Sequence, residues 1–503
     1  MRNLCVIILC SLLFPLASLL SHADSQSEFD SWMKQETDDF QEYRDKRDKE
    51  FTTFLKSHWK EMQVFHGLIR DKTPKPPRIP IAPDKLFKKP GNIQPSLIHP
   101  ILEREKPPST LVLPKASVTP EHTISVSDKE SFPLTTRNDK KLIIQFYGHK
   151  LTFYYDHKLL TSINSPFNEN SISHYWSLLS KSNYESFLLQ LNAHIKSLQL
   201  NDWTYSLLVN SIAQELHKGS KNNQAIFSWF ILTKAGYRAR IAYDHNYLYL
   251  LLPSKQILYS EPYFTFDEQR YYALSFDGVK QKPGKIFTYN GHYPGANRQL
   301  DLQHNSSFIT QQEFKNRSLS FTFKQHEYSL NAHYDFQTIR YLNTLPQMDI
   351  SFYFNSKVNM DTAKPLLNQL TSMTNSMSEQ DTVNFLLKFV QSSFKYKTDE
   401  HQFGVENYLF PEEVLHYPYS DCEDRSVLFA WIVHNILGLD VIGLDYPGHI
   451  STAVKLTTSV EGDKIKYKNS DYIIADPTYI NASVGMTMPE YKNLRPKLIR
   501  ILN

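Results

Sequence analysis

The chain has 503 residues, 41% hydrophobic and 13% aromatic, with a formal charge of +3. That suits a globular protein of about three domains at ~150 residues each, and the small net charge gives no footprint for a polyanion partner. No phosphate loop and no metal-ligand cluster stand out, so the sequence points to no cofactor, no metal and no nucleic acid.

Residues 1–23 combine Arg2, an apolar core from Leu4 to Leu20, and Ser21-His22-Ala23 before Asp24. This is the pattern of a secretory signal peptide. Cys10 follows Leu9 rather than a small residue, which argues against a lipid attachment site. No later stretch offers ~20 consecutive apolar residues. The expected mature chain is therefore periplasmic or secreted, with no integral membrane segment. Cys5 and Cys10 would leave with the signal peptide, making Cys422 the one thiol of an exported protein. A single thiol cannot form an internal disulfide, so its reactivity is the reason to keep it.

From Glu28 a pattern recurs every eleven residues: Phe29 and Trp32, Phe40 and Tyr43, Phe51 and Phe54, Met62 and Phe65. Eleven residues make three helical turns, so 24–70 is expected to form one amphipathic helix about 60 Å long with an aromatic stripe. The stripe is expected to dock on the body or pair with another helix. Pro74, Pro76, Pro77, Pro80 and Pro83 open a stretch, 71–136, that reads as linker and irregular wrapping. Apolar runs either side of Tyr147-Gly148 suggest a hairpin over Leu142–Tyr155, and helical patterns follow at Tyr175–Leu198 and Trp203–His217.

Residues 137–300 echo the C-terminal region. Phe227, Trp229 and Gly236 match Phe429, Trp431 and Gly438 at a constant offset of 202. By that offset Ser220 stands opposite Cys422 and Tyr247 opposite His449, while Glu261-Pro262 parallels Asp476-Pro477. The first copy then lacks both nucleophile and base. Between the copies, 301–360 alternates apolar and polar residues, as in Leu319–Phe323 and Ile350–Phe354, and reads as a β module.

The segment 361–503 carries the chemistry. Ser426–Leu437 has helical apolar spacing and stops at Gly438, a natural C-terminal signal. Cys422 therefore opens a helix, where unpaired N–H groups favour a thiolate, though Glu423 and Asp424 oppose this. Val441–Leu444, His449–Val454 and Asp471–Ala475 read as strands. Neighbouring strands lie about 5 Å apart, so His449 and Asp476 can meet beside Cys422. A nucleophile, a base and an orienting carboxylate result. The aromatic-rich stretch Lys395–Tyr419 is the expected substrate wall.

Cys422, His449 and Asp476, in this order and context, resemble the catalytic residues of the transglutaminase-like superfamily of papain-like cysteine enzymes. The resemblance covers roughly residues 380–485 and rests on Asp421-Cys422-Glu423-Asp424 and Asp476-Pro477; Ser420 and Ser451 depart from it, where Gly and Trp are usual. It implies an α+β protein with a transglutaminase-like catalytic domain at the C-terminus and a degenerate copy upstream. The Phe-x-x-aromatic pattern of 24–70 is also similar to the N-terminal region of some bacterial murein lytic transglycosylases, which implies a cell-wall setting. The expected function is cysteine-dependent acyl transfer on a protein or peptide substrate, with cell-wall peptide among the candidates. Hydrolysis by a peptidase or amidase is favoured, with cross-linking transamidation as the alternative. The rival from another class is a non-catalytic envelope scaffold that binds peptides.

Overall fold

The computed structural model describes residues 22–69, 73, 75–82, 97–98, 139–276, 283–303 and 308–502. The expected signal peptide, including Cys5 and Cys10, and most of the 71–136 linker lie outside the described residues. The fold is mixed α+β. Among the described residues no helix is long and apolar enough to cross a membrane.

The first helix spans His22–Phe54. Its C-terminal part docks. Phe51 and Leu55 are buried, and Phe51 meets the rings of Trp176, Tyr289 and Tyr293. Asp48, buried two helical rows away, accepts a hydrogen bond from Lys234. Trp32 and Tyr43, on the same eleven-residue pattern, are exposed. The helix stops well short of residue 70, which corrects the expected length. His58 takes a positive φ, and Trp59–Met62 becomes a strand on Ile286–Tyr289. There Trp59 packs edge-on to Tyr289, so tertiary packing overrides the helical periodicity of the fourth repeat.

The Lys140–Phe146 and His149–Tyr155 hairpin forms as read. Its turn needs Gly148 at φ +87, where a Cβ would also lie 2.6 Å from Gln311. The single helix expected over Tyr175–Leu198 is two, Glu169–Leu179 and Tyr184–Leu198, followed by Asp202–Leu216 and Lys221–Lys234. A six-stranded antiparallel sheet comes next. Trp59–Met62 lies on one edge of it, and Phe65 exchanges two backbone bonds with Tyr263 on the other. One short stretch of chain thus occupies both edges and curls the sheet towards closure.

The β module is smaller than expected. Phe314–Phe323 and His326–Asp335 form a hairpin, but Ile350–Phe354 is a helix. Its alternation is real, yet Asp349 caps it by accepting from Ser351 N at 2.9 Å, and five residues are too few for period 2 and period 3.6 to be told apart. Met360–Thr374 and Glu379–Ser393 then pack against the hairpin and lead to the helix Cys422–Leu437. That helix buries Leu428, Phe429, Ile432 and Val433, worth about 1.5–3 kcal/mol each by transfer, and Gly438 ends it in the left-handed conformation.

The second sheet has the order Lys497–Arg500, Val441–Tyr446, His449–Val454, Ser470–Ala475, Lys464–Tyr467, Leu97–Ile98. Without the two added strands at their edges, the two sheets have the same order. In each, the fifth strand in sequence is followed across the sheet by the first, second, fourth and third.

Candidate active site

Three elements converge on Cys422. The helix Cys422–Leu437 places it in the first turn, behind Asp421 as N-cap. Asp424 reaches back to accept from Asp421 N at 3.1 Å and from Leu409 N at 2.9 Å, which explains an Asp three residues after an Asp. Ser426, one turn on, donates to the carbonyl of Ile450 at 3.0 Å. This ties the helix to the strand that begins at His449.

His449 and Asp476 sit on adjacent strands, with Thr452 opposite Ala475. The His449 ring and Asp476 Oδ2 are 2.8 Å apart through Nε2. The nitrogen left to act as base is therefore Nδ1. Asp476 is itself held. Its Oδ1 accepts from Thr478 N at 2.9 Å and Tyr479 N at 3.2 Å, and the buried Gln391 amide donates to the carbonyls of Asp476, Tyr479 and Ala482 at 2.9–3.1 Å. Tyr491 stacks on the imidazole, ring centroids 4.9 Å apart. Its phenol is pushed up to about 12 by burial and by the charges of Cys422, Glu490 and Asp476, which marks it as a neighbour of the site. Neither Gln391 nor Tyr491 gave a sequence signal; only the fold brings them here.

The environment of the thiol differs from what a helix N-terminus alone predicts. Cys422 is 1% exposed, and its Sγ donates to Glu423 Oε2 at 2.8 Å. Burial, with the carboxylates of Glu423 and Asp421, pushes the thiol well above its ordinary range. Burial first, and the neighbouring acids after it, outweigh the helix dipole and favour the protonated thiol. Burial and Glu423 also raise Asp421 to about 7, against the pull of Lys75.

Lys75 supplies the missing counter-charge. Its Nζ lies 2.8 Å from Asp421 Oδ2, 2.9 Å from Glu423 Oε1, 2.7 Å from Glu406 Oε1 and 3.3 Å from Asp399 Oδ2. Burial alone would lower its pKa, but Glu423, Asp421 and Asp399 outweigh that and keep it a cation. The expected substrate wall thus contributes Asp399, Glu406 and Tyr408, whose ring faces the ammonium, while its His401 and His416 bond Thr398 and Tyr334 instead. The sequence spacing shows no metal-ligand cluster, but the fold assembles two. Asp421, Cys422 and Glu423, and likewise Asp399, Asp421 and Asp424, bring potential ligand atoms within 4.8 Å of one another.

The two departures from the family pattern have different fates. Ser420 accepts from the buried Arg425 Nε at 3.2 Å, a hydroxyl that Gly could not offer. Arg425 also binds the carbonyls of Gln391 and Phe394, anchoring the helix to Glu379–Ser393. Ser451 is buried with an unpartnered hydroxyl, and nothing in the structure explains it.

Compared with known proteins, the chain matches no family model and no curated protein sequence. The internal comparison is more informative. Thr452 pairs with Ala475 in the second sheet, as Leu251 pairs with Ala273 in the first. Counting three residues back and one forward puts Leu248 where His449 stands and Leu274 where Asp476 stands. This corrects the expected counterparts: Tyr247 precedes its strand and is exposed, and Glu261 lies before Tyr263–Phe266, a different strand. Ser220 is the N-cap of Lys221–Lys234, accepting from Asn223 N at 3.3 Å.

Proposed function

We propose that this chain is an exported, transglutaminase-like cysteine enzyme that transfers the acyl group of a peptide or amide substrate, with water as the favoured acceptor. The observation that carries the reading is the buried His449–Asp476 pair beside a helix opened by Cys422. Cys422 sulfur attacks the carbonyl carbon while its proton passes to His449 Nδ1. The C–N bond breaks, His449 returns the proton to the leaving nitrogen, and a thioester remains. Water then adds to the thioester with His449 again taking a proton, and the acid and the free thiol are released. Asp476 fixes the ring and steadies the imidazolium. The Cys422 backbone N–H is the natural first donor to the oxyanion.

Cross-linking to an amine is the second reading, supported by the Lys75 ammonium seated among carboxylates that flank Cys422. In that case the thioester is taken by an amine and ammonia is the other product. The upstream region, with Leu248 and Leu274 at the base and orienting positions, would be a catalytically dead relative that braces the active half. Alkylation of Cys422 by iodoacetamide near neutral pH, measured with Lys75→Met in both proteins so that the buried thiol is reached, tests the reading: His449→Ala should slow it, and equal rates in two folded proteins refute the triad. Mass spectrometry of cell-wall peptides and protein extracts incubated with the chain, using Cys422→Ala as control, then tells water uptake from ammonia loss.

A further inference from the structure

Residues 75–82 run along the body and are anchored at both ends, with Pro77, Arg78 and Ile81 exposed between the Lys75 ammonium and the buried Ala82. Lys75 inserts its ammonium between Asp421 and Glu423, the two neighbours of Cys422. Glu423 is shared, with Oε1 on Lys75 and Oε2 on the thiol. Next, the Pro76 carbonyl accepts from Tyr396 OH at 2.8 Å. Further on, Ile81 pairs in parallel with Ile480, four residues past Asp476. Ala82 N donates to Ile480 O at 2.8 Å, and Ile480 N donates to Pro80 O at 2.9 Å. Ala82 is buried in the small core that contains Tyr446, Tyr479, Met488 and Tyr491. One short segment therefore runs from beside Cys422 to the loop behind Asp476. Cys422, His449 and Asp476 are 1%, 3% and 3% exposed.

We propose that Lys75–Ala82 occupies the substrate cleft, with Lys75 filling a subsite for an ammonium group, so that the chain as folded is latent and its substrate is a peptide bearing a cationic side chain. This rests on the acyl-transfer reading above. Three arguments converge. The segment is proline-rich and held through backbone bonds, as a bound peptide is held. A buried ion cluster is a poor staple, because apolar residues of similar volume usually stabilise as well; a site that recognises a cation needs it. Finally, carboxylates beside a nucleophilic thiol hinder its ionisation, a cost that makes sense where a substrate cation is to be bound. With the strap in place no substrate carbonyl reaches Sγ, although the Lys75 cation itself eases ionisation of the thiol.

The test measures iodoacetamide labelling of Cys422 in the full chain. Ala82→Asp places a charge in the apolar seat, and Lys75→Met removes the ammonium without touching that seat. Each should raise the labelling rate by at least about tenfold; unchanged rates in both, with native circular dichroism, overturn the occlusion. Should Ala82→Asp fail to fold, Lys75→Met decides alone. A synthetic peptide of residues 73–83 should then protect Cys422 in the opened variant, and the same peptide with norleucine for Lys75 should protect about tenfold less well. No protection by either peptide refutes the cleft, and equal protection refutes the ammonium subsite. Adding His449→Ala to the opened variant keeps the two readings apart: fast labelling that this change does not slow leaves the strap standing and removes the enzyme.

Discussion

Gln391→Leu tests how the orienting carboxylate is held, from a residue outside the triad. The amide is 2% exposed and faces three carbonyls, yet its two hydrogens satisfy only two of them fully. Leucine fills the same space and donates nothing. A buried acceptor left unmet costs roughly 1–3 kcal/mol, so the loss is about 2–4 kcal/mol once the loop relaxes. At roughly 2–4 °C per kcal/mol for a domain of this size, melting should fall by about 5–10 °C. Function should fall with it, because the freed carbonyl belongs to Asp476 and the 476–482 loop then holds His449 loosely. Differential scanning calorimetry reads the first effect and turnover, or base-assisted labelling of Cys422, the second. A variant that melts with the wild type and keeps its reactivity would show that Asp476 needs no support from Glu379–Ser393, and the positioning argument fails.

Once Lys75–Ala82 is displaced, Cys422→Ala should abolish turnover with no change in circular dichroism, since Ala keeps the helix start and opens little space. Asp476→Asn should cost less than His449→Ala, because it misorients the base without deleting it; equal losses in folded variants would assign Asp476 another role. Burial pushes Glu413 up to about 8, above its unfolded value near ~4.3. A raised folded pKa means stability that is complete at low pH and is lost as pH rises through about 8. Glu413→Gln should therefore gain on the wild type in denaturation curves between pH 5 and 9, and a constant difference refutes the linkage. Ser220→Ala should cost about 1 kcal/mol through the lost N-cap and leave turnover intact, and loss of turnover would show that the upstream half is not dead.

What was legible followed from local rules. Gly438 ends the helix that Cys422 opens, and strands of alternating register carry His449 to Asp476, because both depend on neighbours in sequence. Lys75 was out of reach for the opposite reason. It sits 346 residues from Asp421, in a proline run whose composition says only that it cannot form helix or sheet interior. Gln391 and Tyr491 look like an ordinary polar and an ordinary aromatic residue, and their roles exist only once the 476–482 loop folds over them. The fourth aromatic repeat misled because periodicity records which residues want burial, not which element will bury them. The offset of 202 found the upstream helix and also gives Leu274 opposite Asp476, but it slips by one residue at the first strand pair and so names Tyr247 instead of Leu248; Glu261 rests on its Pro262 neighbour, which precedes a different strand.

The stretch Trp59–Phe65 has a practical bearing on any attempt to trim this protein. By lying on Ile286–Tyr289 and on Tyr263 at once, it covers the open rims of the first sheet, and Leu97–Ile98 does the same for Lys464–Tyr467 in the second. Unpaired strand rims invite strands from other molecules. A fragment starting at residue 139 would keep Cys422, His449, Asp476 and the body of both sheets, yet expose three rims now covered, and it should self-associate on expression. The amino-terminal region thus acts as a built-in guard against aggregation, and domain limits drawn from the chemistry alone would cut it away.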